Sequence, residues 1–183
     1  MPVYVALLRA VNVGSHNRVP MAKLRGALVD GGIADATTYI QTGNVLFTGR
    51  ARTSKAAGAE IEEILRAELG LNVDVMARSV SEMKKLLGAN PLKRRGVDLK
   101  TLYVGFLKAR PTAAAARALS DVSFEPEEHA LKGTELYLRY PGGIGRTKMT
   151  PSRLERALAT PITARNWAVV TKLCELAAAH GTG

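Results

Sequence analysis

Two stretches of this sequence carry side chains suited to binding an anion, and the first follows the opening apolar run. It holds two guanidiniums, two amides, a hydroxyl and an imidazole, on Arg9, Asn12, Gly14, Ser15, His16, Asn17 and Arg18. Pro20 then starts a predicted helix. A helix N-terminus presents unpaired N–H groups and partial positive charge, which favour an anion. The alternative is that Asn12 and Asn17 satisfy backbone groups of a turn, while the arginines are solvated.

The second stretch lies late in the chain and combines glycines with basic side chains. Its candidate anion-binding residues are Gly143, Gly145, Arg146 and Lys148. Glycines let the backbone approach a phosphate closely, and a helix is predicted to begin next, with Thr150 as its N-cap. The spacing is not that of a P-loop. A flexible hairpin exit with basic decoration is the competing interpretation.

A third set of candidates is Arg165 and Asn166, directly before Trp167. Trp167 shares a helical register with Val170 and Leu173, which predicts a core side chain rather than a surface for base stacking. For Arg165, an anion-binding role and a structural role both stay open.

Several kinds of catalytic site find no support in the sequence. The three histidines, His16, His129 and His180, have no cysteine or carboxylate partners at ligand spacing, so no metal site is expected. A Gly-x-Ser-x-Gly nucleophile motif is absent. We expect no cofactor, and we interpret Glu125, Glu127 and Glu128 as a solvated turn. Whether the protein is an enzyme stays open.

The charge is strongly basic and uneven. The formal net charge is +10, with 9 basic and 7 acidic residues in 1–78 but 17 and 9 in 79–183. Such an excess attracts phosphate-bearing partners, namely nucleic acid or nucleotide, unless it is only solvated surface. No apolar run could span a membrane, and Cys174 is the only cysteine. We expect no secretion signal, a cytoplasmic location and no membrane association. A monomer is favoured slightly, and the oligomeric state stays open.

The periodicity predicts the order β-α-β-β-α-β twice. The first set comprises a strand at Val3–Leu8, a helix at Pro20–Asp30, a hairpin turning near Gly43, a helix at Thr53–Leu69, a strand at Val73–Met76 and a linking helix at Ser79–Leu87. The second comprises a strand at Leu102–Leu107, a helix from Pro111 to Leu119, a hairpin around Lys132–Thr134, a helix after Thr150, a strand at Pro161–Thr163 and a helix at Trp167–Ala179.

The two sets also share residues. Ala77-Arg78 and the Lys85-Leu86 pair match Ala164-Arg165 and Lys172-Leu173 at a constant separation of 87 positions. Repeated order with repeated residues predicts a duplication. We expect an α+β fold of two tandem ferredoxin-like subdomains, 1–90 and 91–183. Each would be followed by a helix that packs between or against the halves.

Four motifs resemble a known family. VALLRAVNVGSHNRVPM, TYIQTGNVLF, GRTKMTPSRLERAL and TARNWAVVTKL are similar to those of the bacterial family called domain of unknown function 1697. Ala10 and Ser15 stand where the family usually has glycine. The resemblance covers essentially the whole chain and implies an α+β fold of two subdomains. It implies no established activity.

Taken together, these features favour a binding module for a phosphate-bearing partner. One alternative is an enzyme acting on a small anionic substrate in a cleft between the two subdomains, with His16 as the proton carrier. Another is an interaction protein without catalysis, which an exposed apolar patch would favour.

Overall fold

The computed structural model describes residues 1–14 and 17–180. Its described helices and strands, in chain order, are β1 (Val3–Leu8), α1 (Met21–Asp30), β2 (Thr37–Tyr39), β3 (Asn44–Thr48), α2 (Ser54–Leu69), β4 (Val75–Ser79), α3 (Val80–Gly88), β5 (Leu102–Leu107), α4 (Ala113–Ser120), β6 (Glu128–Lys132), β7 (Glu135–Arg139), α5 (Pro151–Leu158), β8 (Ile162–Asn166) and α6 (Trp167–Ala179). Short 3₁₀ turns lie at Leu99–Thr101 and Ile144–Arg146.

The strands form two four-stranded antiparallel sheets, with the orders β2-β3-β1-β4 and β6-β7-β5-β8. The central strand of each sheet pairs with two neighbours at equivalent positions. Val5 lies opposite Arg78 in the first sheet, and Val104 lies opposite Arg165 in the second. The fold is therefore α+β, as expected, and the two sheets repeat one pairing scheme.

The core of the first sheet forms against α1 and α2. Tyr4, Ala6 and Leu8 alternate along β1 and face this core together with Leu24 and Ile61. The intervening side chains of β1 are also buried, because Val5 and Leu7 are both 0% exposed. The unbroken apolar run of β1 thus reflects a strand covered on both faces, as predicted.

The core of the second sheet forms against α4 and α5. Leu119 of α4 and Leu154 and Leu158 of α5 pack with Leu136 and Leu138 of β7. Thr112 accepts a hydrogen bond from the Ala115 amide and caps α4 at its start. A side-chain cap satisfies one of the amides that a helix start leaves unpaired, which fixes where the helix begins.

The strand predicted at Val73–Met76 instead runs to Ser79, because Ser79 both ends the strand and caps α3. Its hydroxyl accepts from the Glu82 amide, and the Glu82 carboxylate accepts from the Ser79 amide at 2.7 Å. This reciprocal pair is a capping box. Burial alone would raise the pKa of Glu82, but the hydrogen bonds from Ser54 and Ser79 lower it.

The interpretation of Glu128 as part of a solvated turn is wrong. Glu128 is the first residue of β6 and binds the guanidiniums of Arg94, at 2.8 Å, and Arg139. Burial opposes ionisation, yet these two hydrogen-bond partners lower the pKa of Glu128 below its usual value. Arg94 lies 34 positions away along the chain, so local sequence gives no sign of the pair.

The chain divides into two compact units, Met1–Lys85 with Lys172–Gly183, and Leu86–Thr171. Among residues 1–14 and 17–180, no helix is both long enough and apolar enough to cross a membrane. The subdomain bounds 1–90 and 91–183 stay a prediction.

Candidate anion-binding site

The loop Arg9–Pro20 leaves the end of β1 and is held there by backbone hydrogen bonds. The Leu8 amide donates to the carbonyl of Gly43 at 2.8 Å, and the Arg9 amide donates to the carbonyl of Asp74 at 2.9 Å. These bonds tie the loop to the β2–β3 turn on one side and to the chain entering β4 on the other. The loop therefore starts from a fixed point of the first sheet.

Asn12 holds the loop together with its side chain. Its Nδ2 donates to the carbonyls of Val19 at 2.9 Å and Gln41 at 2.8 Å, and its Oδ1 accepts from the Val19 amide at 2.8 Å. An amide with one acceptor and two donors can make all three bonds at once. The structural role proposed for Asn12 in the sequence is thus confirmed, and its polar atoms are already engaged.

The loop turns through left-handed backbone conformations. Ala10, Asn12 and Asn17 have φ of 54°, 55° and 50°, and Gly14 has φ of 64°. Asparagine and glycine adopt this region readily, whereas alanine does so at a cost. Ala10 therefore holds a conformation that its Cβ disfavours.

Gly43 explains part of the TYIQTGNVLF motif in packing terms. Its φ is 69°, and a Cβ added there would lie 2.9 Å from Cβ of Leu8 and 3.2 Å from Cβ of Val11. Only glycine lets the β2–β3 turn approach the end of β1 and the loop so closely. Asn44, fully buried, donates to the carbonyl of Tyr39 and to the hydroxyl of Thr42 in the same turn.

A cavity of about 350 Å³ lies against this loop. The described residues that line it are Asn12, Gly14, Arg18, Val19, Pro20 and Gln41. Arg18 is exposed, and its Nε donates to the carbonyl of Gly14 at 3.3 Å. The two terminal nitrogens of its guanidinium have no hydrogen-bond partner within residues 1–14 and 17–180. They are available to an oxyanion entering the cavity.

The start of α1 lies at the same cavity and lacks a side-chain cap. Pro20 occupies the N-cap position and accepts no side-chain bond, and the first turn contains no acidic residue. The first amides of α1 therefore keep their donors for solvent or a ligand. This combination of a guanidinium and open helix amides is the arrangement that binds phosphate or carboxylate oxygens.

The second predicted stretch is placed differently. Gly143 has φ of 82°, and its amide donates to the carbonyl of Tyr140 at 3.0 Å. Gly145 and Arg146 lie in a 3₁₀ turn, and together with Gly143 and Lys148 they are exposed. The helix that follows offers fewer open amides, because Pro151 has no N–H and the Thr150 hydroxyl accepts from the Arg153 amide. The predicted cap is confirmed, and it competes with an anion.

Arg153, on the first turn of α5, is also engaged. Its guanidinium lies 4.9 Å from the ring centre of Phe124, and one terminal nitrogen donates to the carbonyl of Lys148 at 3.4 Å. Stacking of a guanidinium on an aromatic ring is favourable and fixes the side chain. Arg146 and Lys148, in contrast, make no side-chain hydrogen bond or ion pair with the described residues.

Arg165 and Asn166 are bound within the second unit. Arg165 is 8% exposed, and its Nη1 donates to the Thr163 hydroxyl at 2.8 Å and to the Ala164 carbonyl at 2.9 Å. Burial lowers the pKa of Arg165 to about 10. The Asn166 side chain accepts from the Val169 amide and caps α6. Their role as anion-binding residues stays a prediction.

Trp167 is 5% exposed, so its assignment to the core is confirmed. Tyr4 is buried at the middle of the first sheet and donates to the carbonyl of Ala51 at 2.8 Å. Tyr103 packs edge-on against Tyr140. Sheets that bind single-stranded RNA present such aromatics to solvent, whereas Tyr4 is buried and Tyr103 is half-buried.

Two further expectations from the sequence concern the proton carrier His16 and the presence of a metal site. Ser15 and His16 lie outside the described residues, and with them the proposed proton carrier of the enzyme alternative. Within the part of the chain that is described, no three His, Cys, Asp or Glu side chains cluster as metal ligands would.

Comparison with known proteins decides the family. The model of a family described as protein of unknown function, DUF1697, matches residues 1–137. The chain belongs to this family. The match includes the loop, the cavity and the β2–β3 turn, and it ends before the motifs GRTKMTPSRLERAL and TARNWAVVTKL. The DUF1697 resemblance predicted from the motifs is confirmed.

The fold also matches a solved structure. The conserved bacterial protein SP0830 from Streptococcus pneumoniae superposes with a TM-score of 0.66 over 96% of this chain and 98% of its own, at 20% identity. At this identity the likeness establishes the fold alone. No curated protein matches the chain.

The cavity includes residues that the sequence did not single out. Gln41, Val19 and Pro20 line it beside the predicted Asn12, Gly14 and Arg18. Gln41 comes from the turn before β3, 29 positions after Asn12, and only the bond to its carbonyl reveals the proximity. The available signal in the sequence is the polar turn Gln41-Thr42-Gly43-Asn44, whose pattern predicts a hairpin turn but no contact with the first loop.

Proposed function

We propose that this protein binds a phosphate-bearing partner, nucleic acid or nucleotide, at the cavity beside α1. The observation that carries the proposal is the meeting of the Arg18 guanidinium with the uncapped start of α1 around one 350 Å³ cavity. Open amides and a guanidinium both donate to phosphate oxygens, and the helix dipole adds favourable charge.

The hydrogen bonds of Asn12 support the same function. Asn12 ties the two sides of the loop to each other and to Gln41, so the cavity wall does not have to be ordered by the ligand. A site that is formed before binding loses less conformational entropy when the ligand enters. Asn12 thus acts as a positioning residue, and Arg18 with the α1 amides contacts the phosphate.

The charge of the whole protein favours nucleic acid or nucleotide over a neutral metabolite. A formal net charge of +10 raises the local concentration of polyanions at the surface. Association led by phosphate contacts weakens steeply as salt is added. Protein binding releases counterions that are condensed on the phosphates, and a higher salt concentration opposes that release. A dependence on salt therefore separates this function from binding driven by apolar contacts.

The experiment is a fluorescence-anisotropy titration with labelled single-stranded and double-stranded oligonucleotides, competed with AMP and ATP, at low and high salt. Arg18→Ala is compared with Arg66→Ala, an exposed arginine in the last turn of α2. Both variants lose one charge. We expect affinity to fall at least about fivefold in Arg18→Ala and to stay within about twofold in Arg66→Ala.

Two results would contradict the proposal. One is the absence of binding at low salt to every oligonucleotide and nucleotide tested. The other is an equal loss of affinity in both variants, which would show that net charge alone, rather than the cavity, accounts for binding.

For the fold, we propose that each sheet with its two helices is a ferredoxin-like unit and that the chain arose by duplication. The two strand orders are the same, and Arg78 and Arg165 occupy the same register beside the central strand. An experimental structure in which the two sets of elements superpose would agree. Helices on opposite faces of the two sheets would contradict the duplication.

A further inference from the structure

We propose a second binding surface on the other unit: the outer edge of β6 binds an extended acidic peptide as an added antiparallel strand. β6 lies at the end of the order β6-β7-β5-β8. Adding a strand to such an edge is a recurrent way of binding peptides, in which backbone bonds supply affinity and side-chain pockets supply specificity. This surface is formed by other residues than the cavity beside α1.

The register of the hairpin shows which backbone groups point outward. Lys132 pairs with Glu135 across a two-residue turn, and Ala130 pairs with Tyr137. In an antiparallel ladder the hydrogen-bonded residues alternate, so Glu128, Ala130 and Lys132 direct their backbone groups to β7. The N–H and C=O groups of His129 and Leu131 therefore point away from the sheet. Within the part of the chain that is described, no other strand pairs with this edge.

A cavity lies directly beside the edge. It has a volume of about 230 Å³ and lies between α4 and β6, and its lining residues are Ala116, Leu119, Ser120, His129, Ala130 and Leu131. Side chains alternate between the two faces of a strand. Residues of an added strand opposite His129 and Leu131 would therefore direct their side chains to the α4 face and into this cavity. The apolar lining favours a small apolar side chain there.

The opposite face of the edge is basic. Arg94 and Arg139 both bind the single carboxylate of Glu128, and Lys132 donates to the Ala89 carbonyl at 2.8 Å. Three cations thus accompany two carboxylates along this face, because Glu135 lies directly opposite Lys132. Residues of the added strand that alternate with the apolar ones reach this side of the sheet, and acidic side chains there would offset the surplus charge.

A second copy of β6 offsets this surplus less well than an acidic peptide does. A two-fold antiparallel pair that joins His129 to Leu131 of the other copy places Lys132 opposite Glu128, which is favourable for those two residues. Each copy nevertheless brings three cations and two carboxylates to this face, so the surplus positive charge is doubled rather than offset. The pattern of the preferred peptide is therefore alternating acidic and small apolar residues.

The strand of the first unit that corresponds to β6 is shorter. This strand, β2, has three residues against the five of β6. A short edge strand supplies fewer outward backbone groups and is one way in which proteins avoid unwanted strand addition. Strand addition is therefore expected at β6 and not at β2.

The test uses a short fluorescein-labelled peptide of alternating glutamate and valine and two N-methylated forms of it. The residues that pair with His129 and Leu131 are the valines, so their amides face β6. Methylating the valine nitrogens should weaken binding at least about tenfold. Methylating the glutamate nitrogens, which face away, should change it less than about threefold.

Protein variants test the cavity independently. Ala116→Leu fills it and should weaken peptide binding at least about tenfold, while Ala114→Leu, exposed on the same helix, should leave it unchanged. Thermal melts of both variants establish that each is folded. The methylated peptides still decide the question if Ala116→Leu does not fold.

Three outcomes would overturn this inference. The first is no saturable binding of the glutamate–valine peptide at low salt. The second is equal weakening by the two methylated forms, which would show that strand pairing is not involved. The third is a dimer, by analytical ultracentrifugation, that Ala116→Leu dissociates, because the occupant of the edge would then be a second copy of the chain.

Discussion

Two junctions between a loop and a helix contain glycine, arginine and a proline near the helix start, yet they differ in what they offer a ligand. At the first, Pro20 leaves the amides of α1 without a side-chain cap, and Arg18 stands at an open cavity. At the second, Thr150 caps α5 and Arg153 stacks on Phe124. The comparison teaches that composition does not decide whether a helix start can bind an anion. The residue at the N-cap position does.

The two loops also differ in how firmly they are held. The first is fixed by Asn12 to the chain on both sides and to the β2–β3 turn. The second is held by backbone bonds near Tyr140 and by the Thr147 hydroxyl, which accepts from the Met149 amide. Residues of the first loop line the cavity, whereas the second loop exposes Arg146 and Lys148 to solvent.

The largest expected effect concerns two glycines. Gly43 lies in the β2–β3 turn that packs against the first loop, and Gly143 lies in the second loop. Gly43→Ala should destabilise the protein by about 2–5 kcal/mol, because left-handed strain adds to a clash with Leu8 and Val11. Gly143, with φ of 82° and ψ of 162°, meets no atom within 4 Å, so Gly143→Ala should carry only the backbone strain and cost about 1–3 kcal/mol. Urea unfolding of both variants measures this. Equal losses would show that the approach of the turn to the loop is not tight.

The second prediction tests the asparagines of the first loop. Asn12→Ala should lower the free energy of unfolding by about 2–3 kcal/mol, because three hydrogen bonds are lost and backbone groups lose their partners. Asn17→Ala is the matched control, with nearly the same φ and a single side-chain bond of 3.4 Å. It should cost at least about 1 kcal/mol less. A larger loss in Asn17→Ala than in Asn12→Ala would contradict the role given to Asn12.

The third prediction exchanges the properties of the two helix starts. Thr150→Ala removes the cap of α5 and should cost about 1 kcal/mol without changing oligonucleotide affinity. Pro20→Asp supplies a cap and a negative charge to α1 and should abolish oligonucleotide binding. Its stability should change by less than about 1 kcal/mol, because the new cap offsets the lost rigidity of proline. Retained affinity in Pro20→Asp would exclude α1 as the binding helix.

The smallest expected effects are gains in stability from two alanines with positive φ. Ala10, with φ of 54°, and Ala159, with φ of 52°, both adopt the left-handed conformation. Replacing either by glycine should stabilise by up to about 1 kcal/mol, after the greater entropy of glycine in the unfolded chain is subtracted. Ala59→Gly, at an exposed position of α2, should instead cost about 1 kcal/mol. Losses at all three positions would show that neither alanine is strained.

Much of the fold could be predicted because its signals are local. The bounds of α6 are those expected, and α2 begins after Thr53, whose side chain accepts from the Ala56 amide. Both hairpins turn at glycines with positive φ, Gly43 and Gly133. Both ends of β4 differ from the prediction. The strand starts at Val75 although Val73 extends the apolar pattern, and it runs past Met76 because Tyr4 pairs with Ser79.

The lining of the candidate cavity could be predicted in part, because some of its residues are neighbours in sequence and others are not. Asn12, Gly14 and Arg18 are neighbours in sequence, so their shared polar character was visible. The contribution of Gln41 and the binding of Glu128 by Arg94 depend on chain segments 29 and 34 positions apart. The first amides of α1 are open because Pro20 provides no side-chain cap. The sequence alone does not show this, because it becomes apparent only when α1 is compared with α5, which Thr150 caps.

The most direct test of the central claim is a ¹⁵N-NMR titration of the protein with a short single-stranded oligonucleotide at low salt. The claim predicts that the largest shift changes fall on the amides of Arg18, Val19 and the first turn of α1. The amides of Gly143 and Arg153 should change little. Changes concentrated at 142–153, or spread evenly over the basic surface, would contradict it.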